Sequence, residues 1–247
     1  MTSPPTPVQP PAAPGAPGEA TCGTPARLSP AAAGRDPRVR IGVHGSPRLV
    51  DALLAACGHG DDGVHRVPYS MTAPFAPLRA GEVDLMIVKY SPREPDLVTS
   101  GPIGYDGRAA LMRAGHPLAG AASVTLEQLS GYDAFACPDG FPPYVWDLVV
   151  PPRTALGVAV RRVHPMTTLT QAAAVLAATD AVHPSFASVA DALPPGILAA
   201  PVSDLPPAPV RWAWRRASGL TPAAARLVRD AERAAERFAG AARAADR

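Results

Sequence analysis

Lysine is almost absent from this chain. Of its 23 cationic side chains, Lys89 alone is lysine and the others are arginine. Together with the heavy use of Ala and Pro, that points to a GC-rich genome and says little about function. Cysteine is scarce as well. Cys22, Cys57 and Cys137 are odd in number, and their spacing fits neither a CxxC motif nor a disulfide framework. They read as small apolar residues in a reducing cytosol. An excess of one charge is also missing: 23 basic residues face 21 acidic ones for a net +2, with no dense basic block. Composition therefore does not call for a nucleic-acid partner. No apolar run reaches the roughly 20 residues of a membrane helix. The opening "MTSPPTPVQPPAAPGAPGEA" lacks the apolar core of a signal peptide. The expectation is a soluble cytoplasmic protein without membrane contact.

What is present is 247 residues, 47% of them hydrophobic, enough for one large domain or two small lobes. Residues 1–37 are rich in Pro, Ala and Gly and nearly free of large apolar side chains. Such a tail cannot offset its ordering entropy, which predicts disorder. Its prolines favour extended, semi-stiff conformations, and docking to a proline-reading partner is the functional alternative.

From Val39 the pattern changes. "VRIGV" is a strand. "PRLVDALLAAC" is helical, with Leu49, Leu53, Leu54 and Cys57 on one face. "VHRVPYS" is a second strand, "APFAPLRAGEV" a short helix with Gly81 suited to its C-terminal cap, and "DLMIVKY" a buried strand. Strand, helix, strand, helix, strand predicts a parallel sheet. Further on, "SVTLEQLSGY" is a short helix that Ser123 could cap, and "TTLTQAAAVLAATD" a helix capped by Thr167 or Thr168. "AVHP" reads as a very short strand or turn. "GILAAPVSD" and "PVRWAWRR" are strands, the second placing Val210, Trp212 and Trp214 on one face. A final helix from Thr221 and Pro222 carries the stripe Ala224, Leu227, Val228, Ala231 and Phe238.

The order "RVRIGVHGSPRLVDALLAAC", "LRAGEVDLMIV", "HPLA" and "VTLEQLSGY" resembles the effector-binding (substrate-binding) domain of LysR-type transcriptional regulators. The resemblance continues through "HPMTTLTQAAAVLAATDAVHP" and "PVRWAWRRASGLTPAAARLV", covering about residues 38–240. It implies an α/β, periplasmic-binding-protein-like (type 2) fold over 38–247. Two lobes joined by two crossing strands enclose a small-molecule cleft, with lobe one at 39–103 and 182–240 and lobe two at 104–181. Two departures stand out. The winged helix-turn-helix and linker helix of the family have no counterpart in the 38 residues before Val39, so direct operator binding is not expected, unless a start codon lies further upstream. The return crossing is also contracted, to "TDAVHPSF", placing His183 near the cleft.

Within that frame "VHGSP" opens the cleft, with Gly45, Ser46 and the amides of the following helix facing an anion such as a carboxylate. It fits neither a Walker pattern nor GxGxxG. "GHGDDG" does match GxGxxG literally, but it follows a helix, and Asp61 and Asp62 would repel a pyrophosphate. His59 and His65 beside it lack helical ligand spacing, so no metal and no cofactor are expected. Lys89 and Tyr90 end the third strand, where ligands of open α/β sheets collect; Lys89 either neutralises an acidic ligand or reaches to solvent. Thr167 and Thr168 cap a helix, bind ligand, or do both. Phe141, Tyr144 and Trp146 line an apolar pocket or belong to the core.

Two functions remain open. One is a stand-alone effector-binding domain that holds a small anionic or aromatic metabolite, through Gly45, Ser46, Lys89, Tyr90, Phe141, Thr167, Thr168 and His183. It would act in transcription regulation through a partner, either a full-length regulator or a second copy. The other is a cofactor-free enzyme doing proton transfer, dehydration or cyclisation with His44, His183, Asp139 and Tyr90.

Overall fold

A computed structural model describes residues 37–45 and 47–245. Cys22, Ser46 and all but the last residue of the predicted tail lie outside the described residues. The folded part starts with β1 (Val39–Val43), α1 (Arg48–Ala56), β2 (Val64–Pro68), α2 (Ala76–Ala80), β3 (Leu85–Val88), β4 (Leu97–Thr99) and β5 (Gly104–Asp106). It continues through β6 (Arg108–Arg113), α3 (Leu126–Leu129), β7 (Asp133–Phe135), α4 (Pro143–Val149), β8 (Arg161–His164) and α5 (Leu169–Ala178). It ends with β9 (His183–Phe186), β10 (Ile197–Pro201), β11 (Ala208–Arg215) and α6 (Pro222–Ala245).

The first lobe is built on the sheet β2-β1-β3-β11-β4, with β5 also paired to β11. β1 is parallel to both β2 and β3, as the alternation of elements predicts, and β11 closes the set antiparallel to β3. Every residue of β3 is buried because both faces are covered. Leu85 and Ile87 pack with Val50, Leu54, Trp212, Leu227 and Val228 beneath α1 and α6. Met86 and Val88 pack on the opposite face, toward the second lobe. α2 stops at Gly81, whose φ of 70° gives the left-handed cap that a side chain would resist. Val210, Trp212 and Trp214 share one cluster as expected. Phe238 does not join the α6 stripe; it is 65% exposed.

The second lobe is built on the sheet β10-β6-β9 and the parallel pair β7-β8. β6 alternates its faces: Leu111 joins the cluster that includes α5, while Ala110 and Met112 face Val124 and Leu129. The crossing back to lobe one falls later than the expected 182. β9 and β10 both pair antiparallel with β6, so 183–201 belong to the second lobe. "HPSF" is a full strand, and its Pro184 is accommodated because β9 lies at the edge of its sheet. The two crossings are β5 and the start of β11, hydrogen-bonded to each other from Gly104–Val210 to Asp106–Ala208. The α3 cap is Thr125 and not Ser123: its side chain accepts from the Gln128 amide, and Gln128 Oε1 accepts from the Thr125 amide. No helix among the described residues is long and apolar enough to cross a membrane.

Candidate functional site

The lobes are closed on each other. One continuous apolar cluster runs across the seam, joining Met86, Val88 and Tyr90 of the first lobe to Val145, Trp146 and Met166 of the second. What the packing leaves open between them is a cavity of ≈ 110 Å³. The first lobe contributes His44, Gly45, Tyr69, Met71, Lys89 and Tyr90; the second contributes Phe141, Trp146, Met166, His183, Ser185, Phe186 and Ser188.

The far wall is a stack of rings. Trp146 lies parallel to His183 with centroids 5.6 Å apart, and Phe141 meets Trp146 edge-on at 5.9 Å. The Trp146 indole donates to the Phe135 carbonyl at 3.2 Å, which fixes the ring plane. His183 is 3% exposed, and its Nδ1 is buried without a hydrogen-bond partner. Burial pushes its pKa down to about 4, with the nearby Arg108 charge adding to the effect. The imidazole is therefore neutral at physiological pH and offers one donor and one acceptor.

The charged corner is assembled from three parts of the chain. Lys89, just past β3, donates to Ser188 Oγ at 2.7 Å and pairs with Asp106 Oδ2 at 2.7 Å. Ser188 in turn donates its hydroxyl (2.7 Å) and its amide (3.1 Å) to Asp106 at the end of β5. Burial lowers the Lys89 pKa, while Asp106 opposes that shift. Arg108, on the other side of Gly107, is buried and donates to the carbonyls of Ser185, Leu148 and Val149. Its desolvation brings its pKa down to about 10, so it stays cationic at neutral pH. Both cations lie over the Phe186 ring, at 4.5 Å for Lys89 Nζ and 5.1 Å for Arg108 Cζ. One carboxylate thus serves two buried cations, which leaves the corner with a net positive charge.

Of the ligand-contact expectations, Gly45, Lys89, Tyr90, Phe141 and His183 reach the cavity wall, and Ser46 lies outside the described residues. Lys89 does not extend to solvent; it is tied to Asp106. Thr167 and Thr168 are exposed, and the cavity is lined by their neighbours Met166 and Leu169 instead. Thr168 caps α5 by accepting from the Gln171 amide at 3.1 Å, and the Thr167 amide donates to Gln171 Oε1 at 3.2 Å. Trp146 faces the cavity, whereas Tyr144 donates to Glu94 at 2.7 Å and lines an outer groove. Among the proposed acid–base groups His44, His183 and Tyr90 line the cavity, and Asp139 is exposed and does not. His44 sits at the mouth, where its Nδ1 donates to the Tyr69 carbonyl at 3.2 Å; desolvation lowers its pKa. That contact is not the acid–base pairing that proton transfer would use. Among the described residues no cluster of three or more His, Cys, Asp or Glu is placed to hold a metal ion.

Asp106, Arg108 and Ser188 escape a reading of the sequence. The available signal is "YDGRAA", two opposite charges flanking a glycine at the head of an apolar strand. Buried charges of that kind are paired.

The family model described as LysR substrate binding domain matches residues 32–236. No curated protein matches the sequence. Among solved structures the chain is similar to CbnR, a LysR family transcriptional regulator. It is 20% identical over 80% of this chain and 70% of that chain, with a TM-score of 0.62. It is also similar to the Corynebacterium glutamicum OxyR C206 mutant, at 17% identity, 87% and 69% coverage and a TM-score of 0.61. The effector binding domain of QuiR in complex with shikimate aligns at 16% identity over 81% of this chain and 97% of that one, with a TM-score of 0.57.

Proposed function

The chain belongs to the LysR substrate-binding domain family, and from that premise we propose that it is a cytoplasmic sensor of a small aromatic carboxylate, held in the interlobe cavity. The observation that carries this reading is the cavity wall itself. Rings from both lobes surround a space whose one charged lining residue is Lys89, backed by its buried partner Asp106, while Arg108 stands behind Phe186 on the side of the outer groove. A flat apolar body fits between Trp146, Tyr69 and Tyr90, and its carboxylate offsets the surplus positive charge. Neutral His183, stacked on Trp146, completes the ring wall. Binding that bridges both lobes favours the closed arrangement by its differential contacts. The QuiR neighbour, solved with shikimate, accords with a small-molecule effector.

The domain passes this change to a partner, a full-length regulator or a second copy, and makes no DNA contact of its own.

A thermal-shift titration of the purified chain with aromatic carboxylates tests the reading. At a hundred times Kd a binder stabilises by about 2.7 kcal/mol, raising Tm by roughly 5–10 °C for a domain of this size. Flat responses across the aromatic acids, with shifts from other classes of metabolite, would reject the ligand class.

A further inference from the structure

We propose that Phe186 sets the length of the ligand that the cavity accepts. This rests on the reading of the cavity as an aromatic-acid site. Beside the cavity lies an outer groove of ≈ 640 Å³, walled by Arg93, Tyr144, Leu148, Pro206 and Pro207. Five residues line both spaces: Lys89, Tyr90, Val145, Val149 and Phe186. The partition between them is therefore a single layer of side chains.

Four of those five are anchored elsewhere. Tyr90 packs edge-on against Phe75 at 6.5 Å and is 8% exposed. Val145 and Val149 are buried on α4. Lys89 is tied to Asp106 and Ser188. Phe186 is half-buried at the end of β9, at the margin of the apolar cluster, with both cations over its ring. Each cation has hydrogen-bond partners of its own, so both stay in place when the ring is removed. The space that opens then runs from the cavity, past Lys89 and Arg108, into the proline-walled groove. A short acid ends at the ring, and a longer one needs the ring gone.

Calorimetric titration of the whole chain with phenylacetate and biphenyl-4-ylacetate tests this in the wild type, Phe186→Leu and Phe186→Ala. The wild type is expected to favour the shorter acid. The affinity ratio should move at least tenfold toward the longer acid in Phe186→Ala and several-fold in Phe186→Leu, which keeps an apolar side chain and guards against a folding failure of the alanine variant. A ratio within twofold of wild type in the folded variants, with phenylacetate still bound, overturns the role of Phe186 and leaves the site reading intact. No binding of either acid to any form overturns the site reading and this inference together.

Discussion

Gly140 of the second lobe approaches Thr72 of the first so closely that a β-carbon on it would collide with the Thr72 carbonyl oxygen. The backbone there has a φ of +76°, which a side chain also resists. These two loops flank the cavity wall, so anything added at Gly140 pushes the lobes apart where they should meet around ligand. Gly140→Ala is expected to weaken phenylacetate binding at least tenfold while costing about 1–2 kcal/mol of global stability. Titration calorimetry beside urea unfolding separates the two; unchanged affinity would show that lobe contact at this point is irrelevant to binding.

Acid should loosen the fold through His183. The folded pKa is about 4, below the ordinary 6.5 of the unfolded chain. Between those values the unfolded state takes up a proton that the folded state refuses, so stability is full above pH 6.5 and falls as pH drops toward 4. The loss amounts to about 3 kcal/mol by linkage. His183→Phe keeps a ring against Trp146 and removes the titration. Urea midpoints measured from pH 7.5 to 4 should then fall less steeply than in the wild type, and parallel curves would assign the acid sensitivity to other groups.

Two ion pairs stand by the segment after β9, Lys89–Asp106 through hydrogen bonds to Ser188 and Arg48–Asp191 directly, and burial ranks them. Lys89–Asp106 is buried, so Lys89→Met removes the paired cation from a carboxylate that is 5% exposed, leaves it only the two Ser188 donors, and should cost about 3–5 kcal/mol. Arg48–Asp191 is solvent-exposed, and Arg48→Met should cost under about 1 kcal/mol. Denaturant unfolding of both variants checks the order. Equal effects would mean that water reaches Asp106.

The threonines before α5 separate capping from binding. Thr168→Ala removes the acceptor of the Gln171 amide and should destabilise by about 1 kcal/mol with ligand affinity unchanged. A thermal melt with and without phenylacetate reads both quantities. A drop in affinity at equal stability would return Thr168 to the ligand site.

What the sequence discloses here is what is local. "LMIV" must be buried on both sides and Gly81 must end α2, whereas the cap of α3 is Thr125 with Gln128 and not the Ser123 that the sequence suggests. The strand His183–Phe186 is hidden because its proline and polar residues imitate a turn; only pairing with β6, some 75 residues earlier in the chain by its register, makes it a strand. The charged corner is hidden for the same reason, since Lys89, Asp106 and Ser188 come from a strand end, a crossing and a short helical turn. Periodicity carries no trace of such meetings. The aromatic wall was half legible: the cluster from Phe141 to Trp146 announces rings, but which ring faces the cavity depends on where α4 settles.

The most direct measurement is photolabelling with 4-azidophenylacetate, followed by mapping of the modified peptides by mass spectrometry. The account predicts adducts on both walls, at residues such as Met71 and Tyr90 and at Trp146 and Met166, suppressed by excess phenylacetate. Adducts confined to outward-facing positions such as Leu156 or Phe238, or labelling that excess phenylacetate leaves unchanged, would contradict it.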